Sequence, residues 1–130
     1  MSEVGMIIGV GTDIIEVERI RDMIVRHRTR FIQRVFTEGE VKYCRGRKRA
    51  AEHFAARFAA KEATLKALRI GLRKGITWRD MDVVIGELGQ PDIRLAGGAA
   101  LRAEELGVNH LHVSLTHTEN YAAATVVAEH

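Results

Sequence analysis

The sequence predicts an α+β fold, with one long central helix packed against a small, mainly antiparallel sheet, in a single domain over residues 1–130. Three observations carry this. The stretch Phe54 to Leu68, FAARFAAKEATLKAL, is dominated by strong helix formers and holds no Gly or Pro. Two pairs of short strand-like runs are joined by turn residues: Met81–Glu87 to Asp92–Leu95 through Leu88-Gly89-Gln90-Pro91, and His112–His117 to Tyr121–Ala128 through Thr118-Glu119-Asn120. No repeat, low-complexity tract or linker divides the chain.

The remaining elements follow in order. Met6 to Val10 (MIIGV) reads as a buried strand, with Gly9 and Gly11 near its end, where backbone must bend or approach something closely. Asp13 follows, placed either for a site or as a helix N-cap. Glu16 to His27 is an amphipathic helix with Val17, Ile20, Met23 and Ile24 inward, and Phe31 to Phe36 a second short helical segment. Thr37 and Glu40 form a capping box for a helix reaching about Cys44 and ended by Gly46. The basic run Arg45 to Arg49 leads into the long helix, expected from about Ala50 to Leu68 or Arg69 and ended by Gly71. Pro91 should start its strand, where a lost donor is tolerated. Gly98 to Leu106 is a short helix closed by Gly107.

Composition narrows the function classes. At 46% hydrophobic residues the 130-residue chain should fold, and it has no 18-residue apolar run that would span a membrane. The opening MSEVGMIIGVGTD has no basic region of the kind that starts a signal peptide. The single cysteine, Cys44, excludes an internal disulfide, reads as a packing residue and fits the cytoplasm. Net charge is +3, but residues 1–75 hold 17 Lys/Arg against 9 Asp/Glu, and residues 76–130 hold 3 against 8. Such a basic half suits an acidic protein, a polyphosphate or nucleic acid. Sparse aromatics, at 5%, without a basic–aromatic alternation, argue against a nucleic-acid platform.

On a helix turning about 100° per residue, Phe54, Phe58, Leu65 and Leu68 share one stripe, and Ala56, Ala59, Ala60, Ala63 and Ala67 cover most of the other side. Four charges occupy the seams: Arg57 with Lys61, and Glu62 with Lys66. On a largely buried helix these are paired, solvated in a cleft, or used. Asp13 and Glu62, converging from apolar elements, could hold one hard cation such as Mg²⁺, with phosphate oxygens completing its shell and Lys66 beside them. The plain alternative is a Glu62–Lys66 ion pair without a ligand. His117, among hydroxyls in SLTHT, is a base, a phosphate donor or a structural group. There is no nucleophile elbow, Walker loop or dinucleotide fingerprint.

The motif Gly9-Val10-Gly11-Thr12-Asp13-Ile14, with Glu16 and Arg19, resembles the opening signature of the 4′-phosphopantetheinyl transferases. Arg57-Phe58-Ala59-Ala60-Lys61-Glu62-Ala63 with Lys66 is similar to their second signature, and Gly89-Gln90-Pro91 and His112 to Thr118 match further on. Length, order and spacing resemble the small bacterial type over nearly the whole chain, most loosely at residues 21–50 and 69–80.

This resemblance implies a phosphopantetheinyl transferase-like fold and transfer of 4′-phosphopantetheine from coenzyme A to a serine of an acyl carrier protein in fatty acid biosynthesis, releasing adenosine 3′,5′-bisphosphate. It puts the Mg²⁺ ligands on Asp13 and Glu62 and charge stabilisation at the pyrophosphate on Lys66. The serine proton goes to Glu62 directly or through a metal-bound water. Arg57, Lys61 and His117 become coenzyme A contacts, and Arg47 to Arg49, above all Lys48 and Arg49, candidates for its 3′-phosphate. Arg19, Arg26, Arg30 and Arg34 would steer the acidic carrier, with Met23 and Phe31 as apolar anchors. A homotrimer with sites between subunits is expected, with His117 acting on coenzyme A held mainly by a neighbour. The competing class is a non-enzymatic basic domain that binds nucleic acid or an acidic protein.

Overall fold

In the computed structural model, which describes residues 5–130, strand β1 (Ile7–Glu16) continues well past Val10. It pairs antiparallel with β5 (Tyr121–Glu129), which also pairs antiparallel with β4 (His110–His117), giving the order β1-β5-β4. The other hairpin, β2 (Met81–Ile85) and β3 (Pro91–Leu95), forms a separate two-stranded sheet. The strands expected as one sheet therefore divide into two, and Pro91 opens its strand as expected.

Helix α3 (Ala50–Ala67) lies across the inner face of the larger sheet. Gly9 and Gly11 do not end β1; they face this helix. A Cβ on Gly9 would strike the carbonyl oxygen of Ala67, and one on Gly11 that of Ala63. The helix meets them with Ala56, Ala59, Ala60, Ala63 and Ala67, all fully buried, and β5 adds Ala122, Ala124, Val126 and Ala128. Small residues on both sides let two backbones approach more closely than larger side chains permit. That close approach sets the distance between any group on β1 and any group on α3.

Helix α1 (Val17–Val35) carries a kink at Arg28, whose φ is 43°, so the two helical segments read from the sequence are one element with a break between them. It buries Val17, Ile20, Phe31, Ile32 and Val35. Helix α2 (Glu38–Arg45) starts with the expected capping box: Glu40 N–H donates to Thr37 Oγ1 at 3.2 Å, and Thr37 N–H to Glu40 Oε1 at 2.8 Å. Cys44 is fully buried on this helix, and burial pushes its thiol up to about 12, as befits an inert packing residue.

Helix α3 stops before Gly71. Arg69 takes the left-handed conformation at φ 55°, with Arg69 N–H donating to Lys66 O and Ile70 N–H to Leu65 O, both at 3.1 Å. This is a Schellman cap made without glycine. Arg102 of α4 (Gly97–Leu106) reinforces it, its Nε donating to Leu68 O at 3.0 Å. A side-chain donor at the carbonyl end satisfies groups a glycine cap would leave to water.

The outer face of the β1-β5-β4 sheet is mostly neutral. In register across the strands lie Val10, Val127 and His112, then Thr12, Thr125 and Ser114, then Ile14, Ala123 and Thr116. Val10 and Ile14 are 59% and 68% exposed there.

Candidate active site

Asp13 sits inside β1, not beyond its end, on the same inward face as Gly9 and Gly11. The close crossing of α3 brings Lys66 onto it. Lys66 Nζ donates to the Thr12 carbonyl at 2.9 Å and lies 3.2 Å from Asp13 Oδ1. The seam pair read from the sequence is thus rearranged: Lys66 bonds the carboxylate across the helix–strand gap rather than Glu62 on its own helix. Glu62 makes no hydrogen bond or ion pair among the described residues. Burial, and then the Asp13 charge, hold its carboxyl above the usual range, while Lys66 and Arg19 oppose the rise. Asp13, Glu62, Lys66 and Arg19 therefore form one electrostatic group.

Glu62, a carboxylate without a hydrogen-bond partner that burial and the Asp13 charge push towards its protonated form, and Asp13 beside it are the kind of pair a divalent cation can bridge. Mg²⁺ takes one or two protein carboxylates and completes its shell with water and phosphate oxygens.

Three expected positions differ. Lys61, expected at coenzyme A, is in the interior at 0% exposure. Its ammonium lies 2.7 Å from Glu40 Oε1 and donates to the carbonyls of Met81 at 2.7 Å and Trp78 at 3.1 Å. All three donors are spoken for, because α2 and β2 close over that seam. Phe31, expected as an exposed carrier anchor, is only 8% exposed and packs edge-on against Phe36 in the core. Arg57 is also buried; its guanidinium lies 4.4 Å from the centre of the Tyr43 ring, and its Nε has no hydrogen-bond partner among the described residues. Arg47 stacks on the same ring at 4.1 Å.

His117 ends β4 near the start of α3, with Nδ1 2.8 Å from Glu52 Oε1 and its ring 4.8 Å from that of His53. An open cleft of about 540 Å³ lies on the other side of Glu52, lined among others by Arg21, Lys48, Arg49 and Glu52 itself. Glu52, His53 and Tyr43 were not singled out from the sequence. The one available signal is an acid three positions after the basic run Arg45 to Arg49.

The remaining expected carrier residues lie on α1. Arg19, Met23 and Arg26, spaced by four and three, follow one helix face before the kink, and Arg30 and Arg34 lie beyond it. The arginines are exposed and Met23 is half-buried.

Residues 9–126 match the family described as the 4′-phosphopantetheinyl transferase superfamily. The chain is 47% identical over 124 residues to a holo-[acyl-carrier-protein] synthase of Koribacter versatilis, covering 95% of this chain and 99% of the relative. It is 52% identical over 128 residues to one of Methylobacterium radiotolerans, covering 95% and 94%. The crystal structure of holo-[acyl-carrier-protein] synthase from Neisseria meningitidis superposes with a TM-score of 0.86 at 32% identity, covering 96% of this chain and all of that one. That of a holo-(acyl-carrier-protein) synthase from Bacillus anthracis, in complex with CoA (3′,5′-ADP), gives 0.79 at 35% identity, covering 95% and 97%.

Proposed function

The chain belongs to the 4′-phosphopantetheinyl transferase superfamily, and from that premise we propose a function and a working site. It transfers 4′-phosphopantetheine from coenzyme A to a serine hydroxyl of an apo acyl carrier protein. The serine oxygen forms a bond to the phosphorus that bears the pantetheine arm. The bond from that phosphorus to the bridging oxygen breaks, and the electron pair leaves with adenosine 3′,5′-bisphosphate. The carrier serves fatty acid biosynthesis in the cytoplasm, a setting that fits one buried, unreactive thiol.

The observation that carries this reading is the Asp13–Lys66 contact beside Glu62. Asp13 and Glu62 would hold Mg²⁺, which supplies positive charge to the pyrophosphate. Lys66 keeps its amine at the same place, to stabilise charge on the leaving phosphate. Glu62, the carboxylate without a hydrogen-bond partner, accepts the serine proton. Arg47, Lys48, Arg49 and His117 contact coenzyme A, with the buried Arg57 adding positive charge behind them; Lys61 is excluded because its donors are used internally. Arg19, Met23, Arg26, Arg30 and Arg34 receive the carrier, Arg19 doing so next to Glu62.

The site is shared between subunits of a homotrimer. Glu52 and Glu62 are ten positions apart on α3, or about 15 Å along the axis. One coenzyme A pyrophosphate therefore does not touch both ends of the same helix. We place the second contact on a neighbouring copy, whose His117 end meets the coenzyme A held at these carboxylates. Light scattering should report three chains per particle.

The test is direct. Purified protein, coenzyme A, Mg²⁺ and apo carrier should yield a carrier heavier by one phosphopantetheine. An unchanged carrier mass with several apo carriers overturns the reading.

A further inference from the structure

Glu52 stands apart from the Asp13–Glu62–Lys66 group. It lies in the first turn of α3, its side chain only 6% exposed, and its Oε1 is 2.8 Å from His117 Nδ1. Its other oxygen is 3.8 Å from the Nε of Arg49, a side chain that is 72% exposed. A carboxylate buried to this degree needs partners, and the short one is His117. On its other flank His117 meets the ring of His53, tilted 64° to it, and His53 in turn packs edge-on against Tyr43. The imidazole is thus held by a hydrogen bond on one side and a ring contact on another.

An ionised carboxylate only accepts hydrogen bonds, so Nδ1 must carry the proton of this contact. We propose that Glu52 is a positioning residue, which fixes His117 with its proton on Nδ1 and turns Nε2 towards a phosphate-bearing ligand. His117 is 29% exposed at its side chain, so that nitrogen is reachable, and Arg47, Arg49 and Arg57 make the neighbourhood suitable for an anion. The ligand class rests on the coenzyme A reading above; the fixed tautomer does not. Protonated, Nε2 donates to a phosphate oxygen; neutral, it accepts from a ligand hydroxyl or water. Without Glu52 the ring can flip or exchange tautomers, and the ligand must select the productive form at a cost in affinity.

Nitrogen-15 NMR of the protein alone at pH 7.5 should show His117 protonated on Nδ1, and Glu52→Ala should move the proton largely to Nε2. In the transfer assay Glu52→Ala should raise the KM for coenzyme A roughly tenfold, about the worth of one hydrogen bond, and leave the KM for the carrier in place. Glu52→Gln keeps an acceptor oxygen and should restore most of the coenzyme A affinity. Combining Glu52→Ala with His117→Ala should cost no more than His117→Ala alone. An Nε2-protonated His117 in the unmodified chain overturns the proposal without touching the transfer reading. So does a Glu52→Gln variant that binds coenzyme A as poorly as Glu52→Ala. If the carrier is never modified while the Nδ1 proton is found, the transfer reading fails and the positioning role stands.

Discussion

Lys61 and Glu40 form an ion pair of 2.7 Å in which neither side chain reaches solvent. The second oxygen of Glu40 accepts the Val83 N–H at 2.7 Å, so the pair joins α2, α3 and β2 at one point. Burial depresses the Lys61 amine and Glu40 opposes that, the balance of a paired interior charge. Lys61→Ala leaves Glu40 uncompensated and should cost about 3–5 kcal/mol of unfolding free energy in urea titrations. Lys61→Met with Glu40→Gln should recover much of it. A Lys61→Ala protein of normal stability but poor coenzyme A affinity would return Lys61 to the ligand site.

Gly11→Ala should be destabilising by about 1–3 kcal/mol, because its Cβ meets the Ala63 carbonyl of α3 and backbone cannot step aside. It should also lower kcat by lifting Lys66 off Asp13. Gly39→Ala is the control: nothing lies within 4 Å of its Cβ, and alanine favours helix α2. Equal melting temperatures for the two variants would contradict the close-packing account.

Glu62 has a raised pKa in the folded chain, first through burial and then through Asp13. Stability from such an acid is present while it is protonated and is lost as pH rises through its folded pKa. At pH 7 without Mg²⁺, Glu62→Gln should therefore keep or raise the melting temperature. Mg²⁺ at a hundred times its Kd should stabilise the parent by about 2.7 kcal/mol and the variant far less. Equal Mg²⁺ stabilisation of both in calorimetry would remove Glu62 from the metal.

His53 shifts in the opposite direction, through the same preference of a buried site for the neutral form. Burial, then His117, Arg57 and Arg47, hold it below its ordinary 6.5. The folded state therefore binds this proton more weakly than the unfolded state. Stability is full above 6.5 and declines as pH falls from there towards the folded pKa. The melting temperature should fall between pH 7.5 and 5.5, and His53→Phe should show a smaller fall. Identical pH slopes would show that His53 does not titrate in this window.

The arginines of α1 should act through long-range charge. Raising salt should increase the KM for the carrier several-fold while changing kcat little, and Arg26→Ala with Arg30→Ala should flatten that dependence. A salt-independent carrier KM would remove the arginine patch from recognition.

The sequence by itself determined the order of elements, the capping box at Thr37, the hairpins and the family. Each is a local signal: residues within a few positions of one another fix a cap, a turn or a helix face. It also marked Asp13, Glu62 and Lys66, because charges on apolar elements stand out wherever they finally point. The tertiary structure decided which charge meets which. Arg57, Lys61, Glu62 and Lys66 look alike on a helical projection, since each lies in a seam between apolar stripes. Only the docking of α2 and β2 over one seam turns Lys61 into an interior strut. Only the glycine–alanine crossing of β1 and α3 carries Lys66 to Asp13. The Glu52–His117 contact spans 65 positions and has no periodicity to announce it. Contacts of this kind depend on how elements separated in sequence pack together, and no local propensity encodes that packing.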